Sequence, residues 1–169
     1  TSPGFSNEPT GIAFNPNNNH IFFSDDSGGG KVHEVNPGPD QAYCSSDDIV
    51  TTISTSTVFG FSDSEDVSYG ANKIFIGGGI DAEVYIINLG ANGVLGGGDD
   101  LMTHFDTLSS GQRDIEGVGY NIDTGTLYVV STYGSERFVG EYSLTGLLLN
   151  TYDVSYLGSV PRSGLAYAP

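Results

Sequence analysis

Short runs of alternating apolar and polar residues follow one another along the chain, and clusters of Gly, Asn, Asp and Ser separate them. Alternation with a period of two is typical of β-strands with one buried face, and the separating residues favour tight turns. The runs fall into three groups of four. The predicted strands lie at 11–14, 20–24, 31–35 and 49–54, then at 66–69, 73–77, 83–88 and 101–106, and finally at 117–120, 126–131, 138–143 and 147–152.

A related motif opens each group of strands. It reads E-P-T-G-I-A-F at 8–14, D-S-E-D-V-S-Y at 63–69 and D-I-E-G-V-G-Y at 114–120, and a partial copy, S-G-L-A-Y, stands at 163–167. Copies about 50 residues apart are typical of repeat architectures. A four-stranded meander buries both of its faces only by stacking on similar neighbours, and radial stacking around an axis gives a β-propeller.

The sequence therefore predicts an all-β fold, namely an incomplete β-propeller of three four-stranded antiparallel blades plus the first strand of a fourth. The whole chain, 1–169, is one propeller segment with blades at about 8–55, 63–107 and 114–155 and an extra inner strand at 163–167. The inner strands are rich in Gly, Ala and Ser, which suit a crowded axis. The aromatic residues that end the motifs are expected to pack between blades: Phe14, Tyr69, Tyr120 and Tyr167.

Three blades are fewer than a closed ring needs, because propellers typically have about four to eight blades. The exposed blade faces are therefore expected to bind a partner. One alternative is self-association through these faces, in which two copies supply six blades. The other is that the remaining blades belong to a longer chain.

The charge balance narrows the choice of ligands. The chain has 21 acidic and 5 basic residues, a net charge of −16. Such a surface repels phosphate backbones and anionic lipid, so neither nucleic acid nor a membrane is an expected partner, whereas cations are. Cys44 is the only cysteine, so no internal disulfide can form. The composition, poor in Lys and rich in Gly, Asn, Ser and Thr, favours an extracellular or periplasmic protein.

A first candidate site is the D-x-E pair before the inner strands of the second and third blades. The pairs are Asp63 with Glu65 and Asp114 with Glu116; Glu8 and Thr10 hold these places in the first blade. Inner strands converge on the axis, so these carboxylates should come close together and favour a calcium ion, which prefers oxygen ligands. Alternatively, the carboxylates cap strand ends by accepting backbone N–H groups. A third interpretation is that Arg113 and Arg162, which precede inner strands, form salt bridges with these acids, which would weaken the case for a metal.

A second candidate site is a matched pair of long outer hairpins at 38–48 and 90–100. Both read G-x-[DN], six variable residues, then D-D, and their possible calcium ligands are Asp40, Asp47, Asp48, Asn92, Asp99 and Asp100. The spacing does not fit an EF-hand. The alternative is an acidic turn that protects a sheet edge from pairing. Asp25, Asp26 and Asp81 form a third acidic group near the same rim, for which turn chemistry is the preferred interpretation.

Two segments resemble known propeller families. The run from Asp114 to Ser131 resembles blade openings of bacterial six-bladed propellers of the SdiA-regulated and phytase-like kind, and the run from Glu8 to Pro16 resembles NHL and SMP-30-type blades. The acidic hairpins resemble loops of secreted bacterial proteins that hold calcium. This resemblance implies an extracytoplasmic, calcium-binding protein, with Asp63, Glu65, Asp114 and Glu116 at the matching rim positions.

The function expected from this resemblance is a secreted calcium-binding module with a non-catalytic binding or scaffolding role. The alternative is part of a calcium-dependent hydrolase, phytase- or lactonase-like, that is active only in a complete propeller. Phytase-like sites also bind phosphate through Lys and Arg, and the five basic residues here are too dispersed for such a cradle.

Overall fold

The computed structural model describes residues 4–79, 81–131, 137–158 and 164–168. Within these residues the chain forms twelve strands, one short helix and two 3-10 turns. The first blade contains β1 (Pro9–Asn15), β2 (His20–Asp25), β3 (Lys31–Asn36) and β4 (Ile49–Ser54), followed by α1 (Thr55–Val58). The second contains β5 (Asp66–Gly70), β6 (Lys73–Gly78), β7 (Glu83–Asn88) and β8 (Leu101–Asp106), followed by a 3-10 turn (Leu108–Ser110). The third contains β9 (Ile115–Asn121), β10 (Thr126–Ser131), β11 (Phe138–Tyr142) and β12 (Leu148–Asp153), followed by a 3-10 turn (Ser155–Leu157).

Each group of four strands forms its own antiparallel sheet, in which every strand pairs with its neighbour in sequence. The prediction of three four-stranded meanders is therefore confirmed, and the chain is an incomplete β-propeller. None of the helices in the described parts of the chain is long and apolar enough to cross a membrane.

Tight turns connect the strands within a blade. Between β5 and β6 only Ala71 and Asn72 intervene, and both have a positive φ, of 49° and 59°. This matches the two-residue hairpin turn that suits the twist of antiparallel strands. The turn between β11 and β12 contains Gly146, with a φ of 84°. A β-carbon there would lie 2.6 Å from Cβ of Phe105, so this glycine lets the third blade pack closely on the second.

Two apolar cores lie between the sheets rather than within one of them. The first joins the first two blades through Phe22, Val32 and Ile53 on one side and residues such as Ile74 and Ile87 on the other. The second joins the second and third blades, where Phe75, Val84 and Ile86 pack on residues that include Val118, Leu127 and Val129. Burial of apolar area between sheets provides the main driving force that holds the blades together.

Tyr69 and Tyr120 of the repeated motif pack between blades, as predicted, whereas Phe14 is not buried between blades. Tyr69 stacks on Phe22 of the preceding blade, with ring centroids 5.8 Å apart, and Tyr120 stacks on Phe75 at 4.9 Å. The equivalent Phe14 of the first blade is 51% exposed.

The predicted extra inner strand at 163–167 lies partly outside the described residues, because Ser163 is not among them. Residues 164–168 lie beside β9, where a β-carbon on Gly119 would be 3.5 Å from Leu165 and from the amide of Tyr167. This is the position of a fourth inner strand, although 164–168 form no β-ladder with the rest of the described chain.

Candidate functional site

Three carboxylates from two blades meet at one end of the inner strands. Asp26 follows β2, while Asp63 and Glu65 lie in the segment that leads into β5. One oxygen from each of the three lies within 4.8 Å of the other two, which is a spacing that a single cation can bridge.

The local backbone explains how these acidic groups come so close. The amide of Asp26 donates to the carbonyl of Glu8 at 3.3 Å, and the amide of Glu65 donates to the carbonyl of Gly77 at 2.9 Å. A β-carbon on Gly79 would lie 2.1 Å from Oδ2 of Asp63, so only glycine leaves room for this carboxylate. We call Asp26, Asp63 and Glu65 the rim cluster.

The rim cluster concentrates negative charge. Burial, a hydrogen bond with Asp63 and the nearby charges of Asp63, Glu8 and Asp25 together raise the pKa of Asp26 to about 6. A carboxyl responds in this way when its charged form is disfavoured by its surroundings. A bound cation would reverse the effect, because it stabilises all three ionised groups at once.

The D-x-E pair of the third blade does not join this cluster. Glu116 is buried on β9, and the amide of Asp114 donates to Oγ of Ser131 at 3.1 Å. In the first blade, Thr10 donates its hydroxyl to the carbonyl of Ser64 at 2.7 Å, which ties the first two blades together. The structure thus brings together Asp63 and Glu65 of the predicted rim, and it adds Asp26, which the sequence assigned to a turn.

The two long hairpins have matching hydrogen bonds. In the hairpin at 90–100, Ala91 N donates to Asp99 Oδ2 at 2.8 Å and Gly96 N donates to Asp100 Oδ2 at 2.6 Å. The hairpin at 38–48 repeats the second contact at the equivalent position, where Cys44 N donates to Asp48 Oδ2 at 2.7 Å. Pro39 stands in the place of Ala91 and has no N–H, and the next amide, Asp40 N, donates to Asp47 Oδ2 at 3.4 Å instead. These contacts support the interpretation of the hairpin acids as turn-stabilising groups.

One carboxylate oxygen of the hairpins takes no part in these hydrogen bonds. Oδ1 of Asp100 is buried and has no hydrogen-bond partner within the described part of the chain. Burial also raises the pKa of Asp100. Asn92 donates its side-chain amide to Asp99 at 2.6 Å and accepts from Val94 N at 2.9 Å, so its side chain also stabilises the loop.

The sequence analysis missed a buried carboxylate at the propeller axis. Asp66 on β5 is only 4% exposed. Its Oδ1 accepts from its neighbour Val67 N at 2.8 Å, and its Oδ2 accepts from Val118 N at 2.9 Å and from Leu165 N at 3.2 Å. Asp66 therefore links the inner strand of its own blade to β9 and to the segment 164–168. The available signal was its position in the motif, where the first and third copies have glycine.

A second group of buried polar side chains, joined by hydrogen bonds, lies in the first blade. Asp25 is fully buried and its Oδ2 lies 3.3 Å from Nε2 of His33, whose Nδ1 lies 2.9 Å from Oγ1 of Thr52. Burial lowers the pKa of His33. Burial opposes ionisation of Asp25, but hydrogen bonds from Ser27, Ser6 and His33 outweigh it and hold the pKa of this carboxyl below its usual range. Together these contacts form an internal hydrogen-bond network.

A cavity of about 150 Å³ lies among the inner strands, lined by residues such as Ile12, Val67, Tyr120 and Leu165. Sites for small molecules usually have about 300–1,000 Å³.

The pH dependence of stability follows from the groups with raised pKa. Burial raises the pKa of Asp66 from 3.8 to about 6, and hydrogen bonds from three amides only partly offset this. The folded chain then holds a proton that the unfolded chain releases, so this contribution is complete below about pH 4 and is lost as the pH rises to about 6. The raised pKa of Asp26 changes the stability in the same direction. We expect Asp66 alone to lower the free energy of unfolding in a chelating buffer by about 3 kcal/mol over this range, while the lowered pKa of His33 acts in the opposite direction.

Urea unfolding at a series of pH values measures this fall. The Asp66→Asn variant should show a smaller fall, because position 66 can no longer titrate. The same pH dependence in the unmodified chain and in Asp66→Asn would contradict the assignment.

The fold defines the chain as a β-propeller segment, and solved structures agree. It is similar to LS24, a seed albumin from Lathyrus sativus, with a TM-score of 0.51 and 14% identity over 98% of this chain and 78% of the albumin. It is also similar to a glutaminyl cyclase from Myxococcus xanthus, with a TM-score of 0.50 and 14% identity over 95% of this chain and 81% of the cyclase. No protein-family model and no curated protein matches the chain. Both neighbours have propeller-like folds, and at this identity they establish the fold alone.

Proposed function

We propose that this chain is a secreted calcium-binding β-propeller module with a non-catalytic binding or scaffolding role. The observation that carries the proposal is the rim cluster, in which Asp26, Asp63 and Glu65 place three carboxylate oxygens within 4.8 Å of one another. Calcium takes six to eight oxygen ligands and tolerates irregular geometry, so three carboxylates completed by carbonyl groups and water suit it.

The net charge of −16 strengthens this proposal. Self-repulsion at this charge destabilises the compact state, and a divalent cation bound between two blades relieves it locally. The rim cluster joins the first blade to the second, so an ion there would also fix the angle between them. The same composition supports an extracellular or periplasmic location, where calcium is abundant.

The rim cluster is the preferred site over the hairpins, because three carboxylates from two blades converge there. In the hairpins, backbone amides donate to Oδ2 of Asp47, Asp48, Asp99 and Asp100, so these acids stabilise their own loops. The unpartnered Oδ1 of Asp100 makes the hairpin at 90–100 the second-choice position for calcium. Asp114 and Glu116, the remaining predicted ligands, lie outside the rim cluster.

The small axial cavity and the internal hydrogen bonds of Asp66 support a non-catalytic role. A hydrolase that uses calcium needs a concave site with an open coordination position. We propose that the exposed faces of the first and third blades instead bind a partner, either another copy of this chain or further blades. Calcium-dependent hydrolysis of phosphate esters or lactones by the chain would contradict the non-catalytic role.

Calcium is expected to raise the melting temperature. Binding to the folded state alone adds about 2.7 kcal/mol when calcium is at 100 times its Kd. For a chain of this size that corresponds to a shift of roughly 5–10 °C. Thermal melts in chelator and in millimolar calcium measure the shift.

Two matched variants locate the ion. Asp63→Asn should abolish the shift, while Asp99→Asn should retain it. The opposite pattern would move calcium to the hairpin, and equal melting curves for the unmodified chain in chelator and in calcium would remove the metal proposal.

A further inference from the structure

A buried glutamate in the first blade holds the outer hairpin of the next blade. Glu34 lies on β3 and is 3% exposed, with Oε1 2.6 Å from Nδ1 of His20. Its Oε2 accepts from the backbone amide of Leu95, in the hairpin of the second blade, at 2.7 Å. Leu95 itself is 3% exposed and belongs to the core between these two blades. We call this arrangement the hairpin clasp.

The third blade carries a glutamate at the position that Glu34 holds in the clasp. Strand register makes the two positions equivalent: Glu34 pairs with Phe22 in the first blade, and Glu141 pairs with Tyr128 in the third. Glu141 is 7% exposed, and its Oε1 accepts from Oγ1 of Thr126 at 2.8 Å, in the place that His20 takes beside Glu34.

Within the described residues, the second oxygen of Glu141 accepts hydrogen bonds from side chains of its own blade. Oε2 accepts from Nδ2 of Asn150 at 2.9 Å and from the hydroxyl of Tyr152 at 2.8 Å, and Tyr152 is 45% exposed. In the first blade the equivalent oxygen receives a backbone amide from the following blade. The glutamate of the clasp is therefore in place in the third blade. Partly exposed side chains occupy the position that the next hairpin would take.

The inner strand of a fourth blade already lies against this face. Tyr69 and Tyr120 each stack on the aromatic residue at the equivalent position of the preceding blade, Phe22 and Phe75. Tyr167 repeats this contact on Tyr128, with centroids 6.3 Å apart. Residues 164–168 form no β-ladder within the described chain, so their backbone edge can pair with another strand.

We infer that the third blade binds a three-stranded antiparallel sheet that pairs with residues 164–168 and completes a fourth blade. The outer hairpin of this sheet would place an apolar side chain over the third blade and donate a backbone N–H to Glu141. Main-chain pairing to an open strand edge is a common basis of sheet recognition. This inference rests on the proposed binding of a partner by the third blade, and it is independent of calcium binding.

A second copy of the chain fits this face less well. Its own β1 would need the inner position that 164–168 occupy, and each copy carries a net charge of −16. A three-stranded sheet that has no inner strand of its own does not compete with 164–168 and does not bring the charge of a second whole copy.

The probe is a synthetic peptide that copies residues 73–107, which contain β6 to β8 and the hairpin with Leu95. We expect its addition to the ¹⁵N-labelled full chain to shift the amide resonances of Ala166, Tyr167 and Glu141. Glu141→Gln in the full chain should weaken binding by about tenfold, because a hydrogen bond to a charged acceptor is replaced by one to a neutral acceptor. Glu83→Gln, which changes a glutamate of the second blade, should bind as the unmodified chain does.

The peptide also provides a control that does not depend on folding of a variant chain. A peptide with Leu95→Asp should bind at least tenfold more weakly, since it would bury a charge between blades. Absence of shifts at millimolar peptide, or equal shifts with both peptides, would overturn the inference. Concentration-dependent shifts of the same resonances without peptide would also overturn it and identify a second copy as the occupant.

Discussion

Replacement of Asp66 by alanine is expected to destabilise the fold by about 3 kcal/mol at neutral pH. The change leaves the amides of Val67, Val118 and Leu165 without their acceptor, and each unmade buried hydrogen bond costs about 1–3 kcal/mol. Relief of a buried charge offsets part of this loss, because burial raises the pKa of Asp66 to about 6. Urea unfolding measures the change in stability.

Amide hydrogen exchange separates a local effect at the axis from general loosening. In Asp66→Ala the amides of Val118 and Leu165 should exchange faster than those of the outer strands. The matched control is Asp81→Ala, which removes an exposed carboxylate and should change stability by less than about 0.5 kcal/mol. Equal stability and equal exchange in Asp66→Ala and the unmodified chain would show that Asp66 does not link the inner strands.

Replacement of Phe75 by alanine is expected to cost about 3–5 kcal/mol. Phe75 is fully buried, stacks on Tyr120 with centroids 4.9 Å apart, and belongs to the core between the second and third blades. Loss of the ring removes apolar contacts on both sides of that interface and leaves a cavity. The urea midpoint should fall while the dependence on urea concentration stays the same, since the fold is retained.

Phe14→Ala is the matched control for this change. Phe14 also lies on a strand next to the axis but is 51% exposed, so its loss should cost less than about 1 kcal/mol. If the two variants lost similar stability, the main core would not lie between the blades, and the assignment of the sheets as stacked blades would be wrong.

The architecture could be predicted from the sequence because it depends on local patterns that repeat. Period-two alternation located all twelve strands that the described residues form, with ends that differ by up to two residues. The repeated motif predicted that Tyr69 and Tyr120 pack between blades, and both do. Because one motif recurs four times, these contacts can be predicted without knowledge of the long-range geometry.

The polar contacts could not be predicted in the same way, because they join residues far apart in sequence. Asp26 meets Asp63 only after two blades have packed, and Glu34 reaches Leu95 across 61 residues. Asp66 stands next to Glu65 in the motif, yet its side chain is buried at the start of β5 while Glu65, in the segment before the strand, lies at the rim. The hairpin acids had two interpretations, and their hydrogen bonds favour the structural one.

Native mass spectrometry of the full chain, with and without calcium, tests the central claim most directly. The claim is that carboxylates from adjacent blades form one cation site, so the unmodified chain should retain calcium and Asp63→Asn should retain one ion fewer. Absence of bound calcium, or an equal number of ions on the unmodified chain and the variant, would contradict it.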